Sequence, residues 1–183
     1  MGSPKALLDF RGETFLDRLI GLFSTVCDPV IVVLGNDAER IRTGLRRADE
    51  ARFVVNPDPD RGMLRSFQCA FHELPASADG VLFTLVDHPA VDAATLASLA
   101  ASFIEHAAPV TKPVYDGRRG HPVCIARQVA DEILSLRVDA QVPDVLTRYR
   151  DVTRLVLVED PGVLEDVDDP AAYAKLIEAA VRT

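Results

Sequence analysis

The clearest indication of the architecture of this chain is the segment Val81-Leu82-Phe83-Thr84-Leu85-Val86-Asp87-His88-Pro89. Its first six residues form a mostly apolar run, which is typical of a strand buried on both faces in a parallel sheet. Val30-Ile31-Val32-Val33-Leu34-Gly35 is a second run of this kind. The two runs predict two buried strands of one sheet.

Helical patterns alternate with the apolar runs along the whole chain, beginning with apolar residues at helical spacing in 13–26. Further helices are predicted over 38–47, 63–73, 91–106 (with Asp92 as N-cap), 128–136, 144–149 and 170–182, and further strands over 53–55, 113–115, 122–125 and 153–158. Such alternation favours right-handed crossovers and helices on both faces of the sheet. The prediction is a single Rossmann-like, three-layer α/β domain over residues 1–183 with a mostly parallel sheet.

Composition excludes several classes of protein. The chain of 183 residues is 48% hydrophobic, which is enough for one sizeable core. A formal net charge of −8 argues against a nucleic-acid-binding surface, and no apolar run approaches the roughly 20 residues that cross a bilayer. Cys27, Cys69 and Cys124 lack the spacing of a zinc site or a disulfide framework. We therefore expect reduced thiols in a cytoplasmic protein without membrane or nucleic-acid partners.

Two acidic segments are candidates for a metal site. Asp87 directly follows a predicted buried strand, where ligands of α/β sheets collect, and a carboxylate there suits Mg²⁺. The alternative is that Asp87 only forms the turn into the next helix. Asp166 and Asp168 precede the last predicted helix, where acidic residues are also common as caps. A metal role for this second segment gains weight only in combination with Asp87.

Three other segments contain residues suited to binding phosphate or nucleotide. Gly117-Arg118-Arg119-Gly120-His121-Pro122 combines guanidinium groups with glycines that permit close backbone approach, although a solvated hairpin has the same pattern. Asn56-Pro57-Asp58-Pro59-Asp60-Arg61-Gly62-Met63 leads into a helix whose first turn contains Ser66. Only Lys5, Lys112 and Lys175 among the 20 basic residues are lysine, which hints that position 5 requires a compact ammonium group.

Taken together, these segments resemble the MobA/MocA-like nucleotidyltransferases that build molybdenum-cofactor dinucleotides. The resemblance spans nearly the whole chain and rests on motifs in the family's order. They are Met1-Gly2-Ser3-Pro4-Lys5-Ala6-Leu7-Leu8, Asn56-Pro57, Gly62-Met63, Asp87-His88-Pro89, Gly120-His121-Pro122 and Asp166-Val167-Asp168-Asp169-Pro170.

The resemblance implies an enzyme that transfers a nucleoside monophosphate, with CMP from CTP favoured, to molybdopterin with release of pyrophosphate. It implies that Lys5 neutralises triphosphate charge and that Asp87 and Asp166 hold Mg²⁺, with Asp168 the less favoured second ligand. Asn56, Gly62 and Ser66 would lie near the nucleotide, and Gly120 and His121 nearer the pterin. A molybdoenzyme or its chaperone is the expected protein partner.

The chain also departs from the family pattern. His88 replaces a glutamine, Leu64 and Arg65 replace small polar residues, and 138–142 replaces a Gly-Asp-x-Gly segment. The family's first strand and Gly-rich loop have no counterpart ahead of Lys5. We therefore expect an amino-terminally truncated domain with a gap between the strands over 30–34 and 81–86.

Two alternative functions stay open at this point. One is a catalytically impaired homologue that binds a pterin or a protein. The other is a nucleotidyltransferase that acts on a sugar phosphate or an alditol phosphate.

Overall fold

Strands and helices alternate along the computed structural model, which describes residues 3–137 and 139–181. The strands are β1 (Asp9–Phe10), β2 (Glu13–Thr14), β3 (Ile31–Leu34), β4 (Arg52–Val55), β5 (Gly80–Phe83), β6 (Val110–Tyr115), β7 (Arg118–Arg119), β8 (Val123–Ala126) and β9 (Arg154–Leu157). The helices are α1 (Phe15–Phe23), α2 (Ala38–Thr43), α3 (Met63–His72), α4 (Ala93–His106), α5 (Arg127–Leu134), α6 (Val142–Arg148) and α7 (Pro170–Val181). Met1, Gly2, Val138 and Arg182, on which parts of the predicted motifs and elements fall, lie outside the described residues.

The strands form a larger mixed sheet and two small ones. In the larger sheet the order is β5-β8-β6-β7, with β9 beside β6. β3 and β4 pair parallel to each other, and β1 and β2 form a short antiparallel pair. The predicted α/β fold is confirmed, but the expectation of a mostly parallel sheet needs correction. β8 runs antiparallel to both β5 and β6. β7 folds back on β6 because a short hairpin joins these two strands.

Helices cover both faces of the larger sheet, as the alternation of side chains along β5 shows. Val81 and Phe83 pack towards α3, α5 and α6 in one apolar cluster. Leu82, between them, packs in another cluster with residues of α1 and α4. Successive side chains of a strand point to opposite faces, so the two clusters lie on opposite sides of the sheet and the domain has three layers.

A large apolar cavity separates β3 from β5. Its volume is about 680 Å³, and residues of both strands, α1 and α3 line it. Among the described residues β3 pairs only with β4, and β5 only with β8. The strand predicted over 81–86 ends at Phe83 because Thr84–Val86 lack a partner strand within the described ranges.

The three cysteines of the chain form no disulfide among the described residues. Cys27, Cys69 and Cys124 are free thiols, and burial raises the pKa of Cys124 to about 12. Within residues 3–137 and 139–181, no helix has the length and apolar character needed to cross a membrane.

Candidate active site

Asp87 lies beyond the carboxyl end of β5, where the chain leaves the sheet. Its backbone carbonyl accepts a hydrogen bond of 2.9 Å from the amide of Val167, which brings the acidic segment 166–168 beside it. The side chain of Asp87 is only 18% exposed. Its Oδ1 is buried and has no hydrogen-bond partner among the described residues. A buried carboxylate oxygen without a donor is free to accept a ligand from outside the chain.

Lys5 joins this acidic segment from the amino-terminal part of the chain. Its Nζ donates to Oδ1 of Asp168 over 2.8 Å. The hydrogen bond and the charge of Lys5 lower the pKa of Asp168, and Asp166 and His88 act in the same direction. Lys5, Asp87, Asp166 and Asp168 therefore come together at one edge of the sheet, although they are up to 163 residues apart in sequence.

A pair of stacked histidines connects Asp87 to the loop that follows β7. The rings of His88 and His121 lie 4.6 Å apart between centroids, with an interplanar angle of 24°. Nε2 of His88 lies 3.7 Å from Oδ1 of Asp87. Burial, followed by the charges of His88 and Lys112, lowers the pKa of His121 to about 4, so its imidazole is neutral near pH 7.

Gly120 allows the histidine loop to approach the segment that leads to Asp166. The amide of His121 donates to the carbonyl of Val163 over 2.9 Å. A Cβ added at Gly120 would collide with the same carbonyl group. Only glycine fits this close approach between two backbones, and it keeps His121 stacked on His88.

A second group of predicted site residues, Asn56, Gly62 and Ser66, lies between the end of β4 and the first turn of α3. Asn56 is 2% exposed, and its Nδ2 donates to Oγ of Ser66 over 3.1 Å while its Oδ1 accepts from the amide of Asp58. Gly62 has a φ of +81° just before α3, a conformation that favours glycine. Asn56 therefore fastens this loop to α3, while Ser66 lines the large cavity together with Lys5.

The donor set suits a hard divalent cation that is completed by substrate oxygens. Within residues 3–137 and 139–181, no group of three or more His, Cys, Asp or Glu side chains is arranged to hold a metal ion. Mg²⁺ commonly binds through only one or two carboxylates and takes its other ligands from phosphates and water. The unpartnered Oδ1 of Asp87, beside the backbone segment that contains Asp166, fits this kind of site.

Sequence reasoning gave no role to His88 and little weight to Asp168, yet both contact the site. One signal was available for the histidines. His88 and His121 each directly precede a proline, which restricts the backbone of the preceding residue. The pairing of Asp168 with Lys5 had no local signal, because it joins two ends of the chain.

Comparison with known proteins places these observations in a family. The model of the MobA-like NTP transferase domain matches residues 1–152. The bifunctional protein GlmU of Bifidobacterium longum subsp. infantis is 38% identical over 97 residues, which are 51% of this chain and 21% of GlmU. The chain thus spans about a fifth of the length of this relative.

Solved structures match over a larger share of the chain. Rv0371c from Mycobacterium tuberculosis H37Rv superposes with a TM-score of 0.84 at 29% identity, covering 97% of this chain and 91% of Rv0371c. A complex of Rv0371c with manganese superposes with a TM-score of 0.80 at 29% identity, covering 97% of this chain and 93% of that one. With more than four-fifths of its residues matched by the family model, this chain belongs to the MobA-like NTP transferase family.

Proposed function

We propose that this chain is a Mg²⁺-dependent nucleotidyltransferase that moves CMP from CTP to the terminal phosphate of molybdopterin. The observation that carries the proposal is the meeting of Lys5, Asp87, Asp166 and Asp168 at the carboxyl edge of the sheet. An ammonium group beside carboxylates, one of which has an unpartnered oxygen, suits a metal-bound triphosphate. The manganese complex of the similar Rv0371c structure supports a divalent cation.

In the proposed reaction, an oxygen of the acceptor phosphate attacks the α-phosphorus of the nucleotide. A new P–O bond forms there, the bond from the α-phosphorus to the oxygen bridging to the β-phosphorus breaks, and pyrophosphate leaves. The protein needs to align the two phosphates and to balance their charge. A bound divalent cation would supply charge stabilisation for the phosphate oxygens.

Each side chain at the edge has a defined part in this proposal. Asp87 and Asp166 would hold the cation, and Lys5 would exchange its partner Asp168 for the triphosphate. Before substrate binds, Asp168 keeps the ammonium group of Lys5 oriented, because their hydrogen bond of 2.8 Å fixes the end of a flexible side chain. Neutral His121, stacked on His88, closes the site on the acceptor side.

CTP and molybdopterin are the finer part of the proposal, and they rest on Gly120-His121-Pro122 and on the family resemblance. Each nucleoside triphosphate should therefore be incubated with molybdopterin and with sugar and alditol phosphates, and pyrophosphate release recorded. We expect the highest rate with CTP and molybdopterin. Release that is faster with a sugar or alditol phosphate would replace the acceptor, and release with no pair would favour a binding protein.

The first prediction concerns Asp87. Substitution Asp87→Asn removes the negative charge and keeps the shape, so turnover should fall on the order of 10²-fold or more, most strongly at limiting Mg²⁺. Steady-state kinetics across a Mg²⁺ titration measures this effect. Asp49→Asn is the matched control and should leave turnover unchanged, since Asp49 is exposed and lies outside the segments that form the site. Unchanged kinetics in a folded Asp87→Asn variant would remove Asp87 from the metal site.

A further inference from the structure

A second cavity lies on the other side of His121, between the sheet and helices α3 and α6. Its volume is about 420 Å³. Most of its wall is apolar, and its charged residues are Lys112, Arg119 and Arg150. None of its lining residues is an aspartate or a glutamate, although the chain has 28 acidic and 20 basic residues. The cavity is therefore a cationic site within an acidic protein.

Strand register explains why two of the cations meet there. Arg119 of β7 pairs with Val114 of β6, and paired residues of neighbouring strands point to the same face. Lys112 is two residues from Val114, so it also points to this face. Arg118 pairs with Tyr115 and points to the opposite face. The hairpin thus directs Lys112 and Arg119 together and Arg118 away.

The three cations of this cavity have no acidic ion-pair partner in the part of the chain that the structure describes. Lys112, Arg119 and Arg150 make no ion pair with any of the described residues. Lys112 is half-buried, and burial and the charge of Arg119 lower its pKa. Partly burying an ammonium group beside a guanidinium group is unfavourable unless an anion compensates for it. An anion from outside the chain would satisfy all three groups.

Two stacked imidazole rings connect the cavity to the proposed reaction centre. His121 lines the cavity, stacks on His88, and has an unpartnered Nδ1. His88 in turn lies 3.7 Å from Asp87. A phosphate group held by Lys112 and Arg119 would therefore lie beside the histidine stack that leads to Asp87.

We propose that this cationic cavity, with Lys112, Arg119 and Arg150, is a binding site for the phosphate monoester of the acceptor. The apolar wall, which includes Met63, Phe67 and Phe83, suits an acceptor whose phosphate is attached to an apolar or flat body. Its role as the acceptor site rests on the proposed function. Its affinity for a phosphate monoester does not, and it can be measured without nucleotide.

Phenyl phosphate is the probe for this site, since it combines a phosphate monoester with an apolar ring. Calorimetry on the full chain should show that phenyl phosphate binds more tightly than inorganic phosphate and that phenol does not bind. Arg119→Gln and Lys112→Gln should each weaken phenyl phosphate binding by roughly ten- to a hundredfold, because each removes a charged hydrogen-bond donor. Arg118→Gln is the matched control from the same hairpin and should bind like the unchanged chain.

The outcomes separate this inference from the proposed function. Equal losses in Arg118→Gln and Arg119→Gln, or no binding of phenyl phosphate, would overturn the inference even if nucleotidyl transfer were observed. Arg119 is exposed, so its variant keeps the test valid if Lys112→Gln fails to fold. Weaker phosphate binding without any nucleotidyl transfer would support the site and contradict the proposed function.

A transfer assay distinguishes the acceptor from the nucleotide as the source of the phosphate. Arg119→Gln should raise KM for the acceptor at least tenfold and leave KM for the nucleoside triphosphate unchanged. A rise confined to the KM of the nucleotide would place the triphosphate in this cavity and overturn its assignment to the acceptor.

Discussion

At the residue scale, a distant aspartate holds the start of α4 in place. Asp92 is the N-cap residue that the sequence predicts, but its side chain makes no capping hydrogen bond. Oδ2 of Asp160 instead accepts from the amide of Asp92 over 2.9 Å and from Oγ1 of Thr95 over 2.7 Å, and Oδ1 accepts from the amide of Gly162. One buried carboxylate thus joins α4 to the segment that leads to Asp166.

This difference predicts unequal costs for two similar substitutions. Asp160→Ala should lower the free energy of unfolding by roughly 3 kcal/mol, because it leaves several buried donors unsatisfied. Asp92→Ala should change it by no more than about 0.5 kcal/mol, as exposed side chains without such contacts usually do. Urea unfolding of both variants measures the two values. Equal losses in the free energy of unfolding would show that the side chain of Asp92 stabilises the start of α4 as much as that of Asp160 does.

His121 gives the stability of the protein a pH dependence. Its folded-state pKa of about 4 lies below its ordinary value of 6.5, with His88 and Lys112 as the charged groups that face it. The unfolded chain therefore binds more protons between these two values, so this part of the stability is present above pH 6.5 and is lost as the pH falls towards 4. The free energy of unfolding should fall by on the order of 1–3 kcal/mol across that window.

The matched variant is His121→Gln, which is polar and does not titrate. Urea unfolding at several pH values between 4 and 7 should show a shallower slope for this variant than for the unchanged chain. Identical slopes would mean that His121 is accessible enough to be protonated equally in both states.

At the element scale, β3 and β5 belong to different sheets, and each has an edge without a partner strand among the described residues. Both strands face the cavity of about 680 Å³, and neither has a second partner among the described residues. Unsatisfied buried backbone groups cost roughly 1–3 kcal/mol each. An extended, apolar strand is the structure that could pair with both edges and fill the space between them.

This geometry predicts that a strand supplied to the gap stabilises the protein. An apolar strand and a Gly-rich loop fused ahead of Met1 should raise Tm by at least about 5 °C, since 1 kcal/mol corresponds to roughly 2–4 °C at this chain length. CTP should also bind more tightly, because loop amide groups can hold phosphates beside Lys5. Calorimetry measures both effects, with a Gly/Ser-rich fusion of equal length as the control. Equal Tm and equal CTP affinity for the two fusions would contradict the prediction.

At the scale of the whole molecule, the site is built by the convergence of four separate segments. They are the turn at Lys5, the end of β5 with Asp87 and His88, the histidine loop after β7, and the segment 163–168. Two backbone contacts join the last three, from Val167 to Asp87 and from His121 to Val163. A change that displaces any one segment therefore affects the others.

The α/β class, most of the helices and strands, and the candidate positions of the site were predictable from the sequence. Strongly apolar runs such as 30–35 and 81–86 report burial directly, and the order of short motifs identifies the family. The predicted element boundaries differ from the observed ones by a few residues, as for the strand predicted over 81–86, which ends at Phe83. Strand ends depend on partners that local patterns do not contain.

Only the tertiary structure decided how those positions are used. Residues that are distant in sequence meet in three contacts: the antiparallel pairing of β8 with β5, the stack of His88 on His121, and the hydrogen bond from Thr95 of α4 to Asp160. The same holds for Lys112 and Arg119, whose common face follows from the register of β6 and β7. Periodicity records which residues are buried, whereas pairing partners and their distances are fixed only when the chain closes on itself.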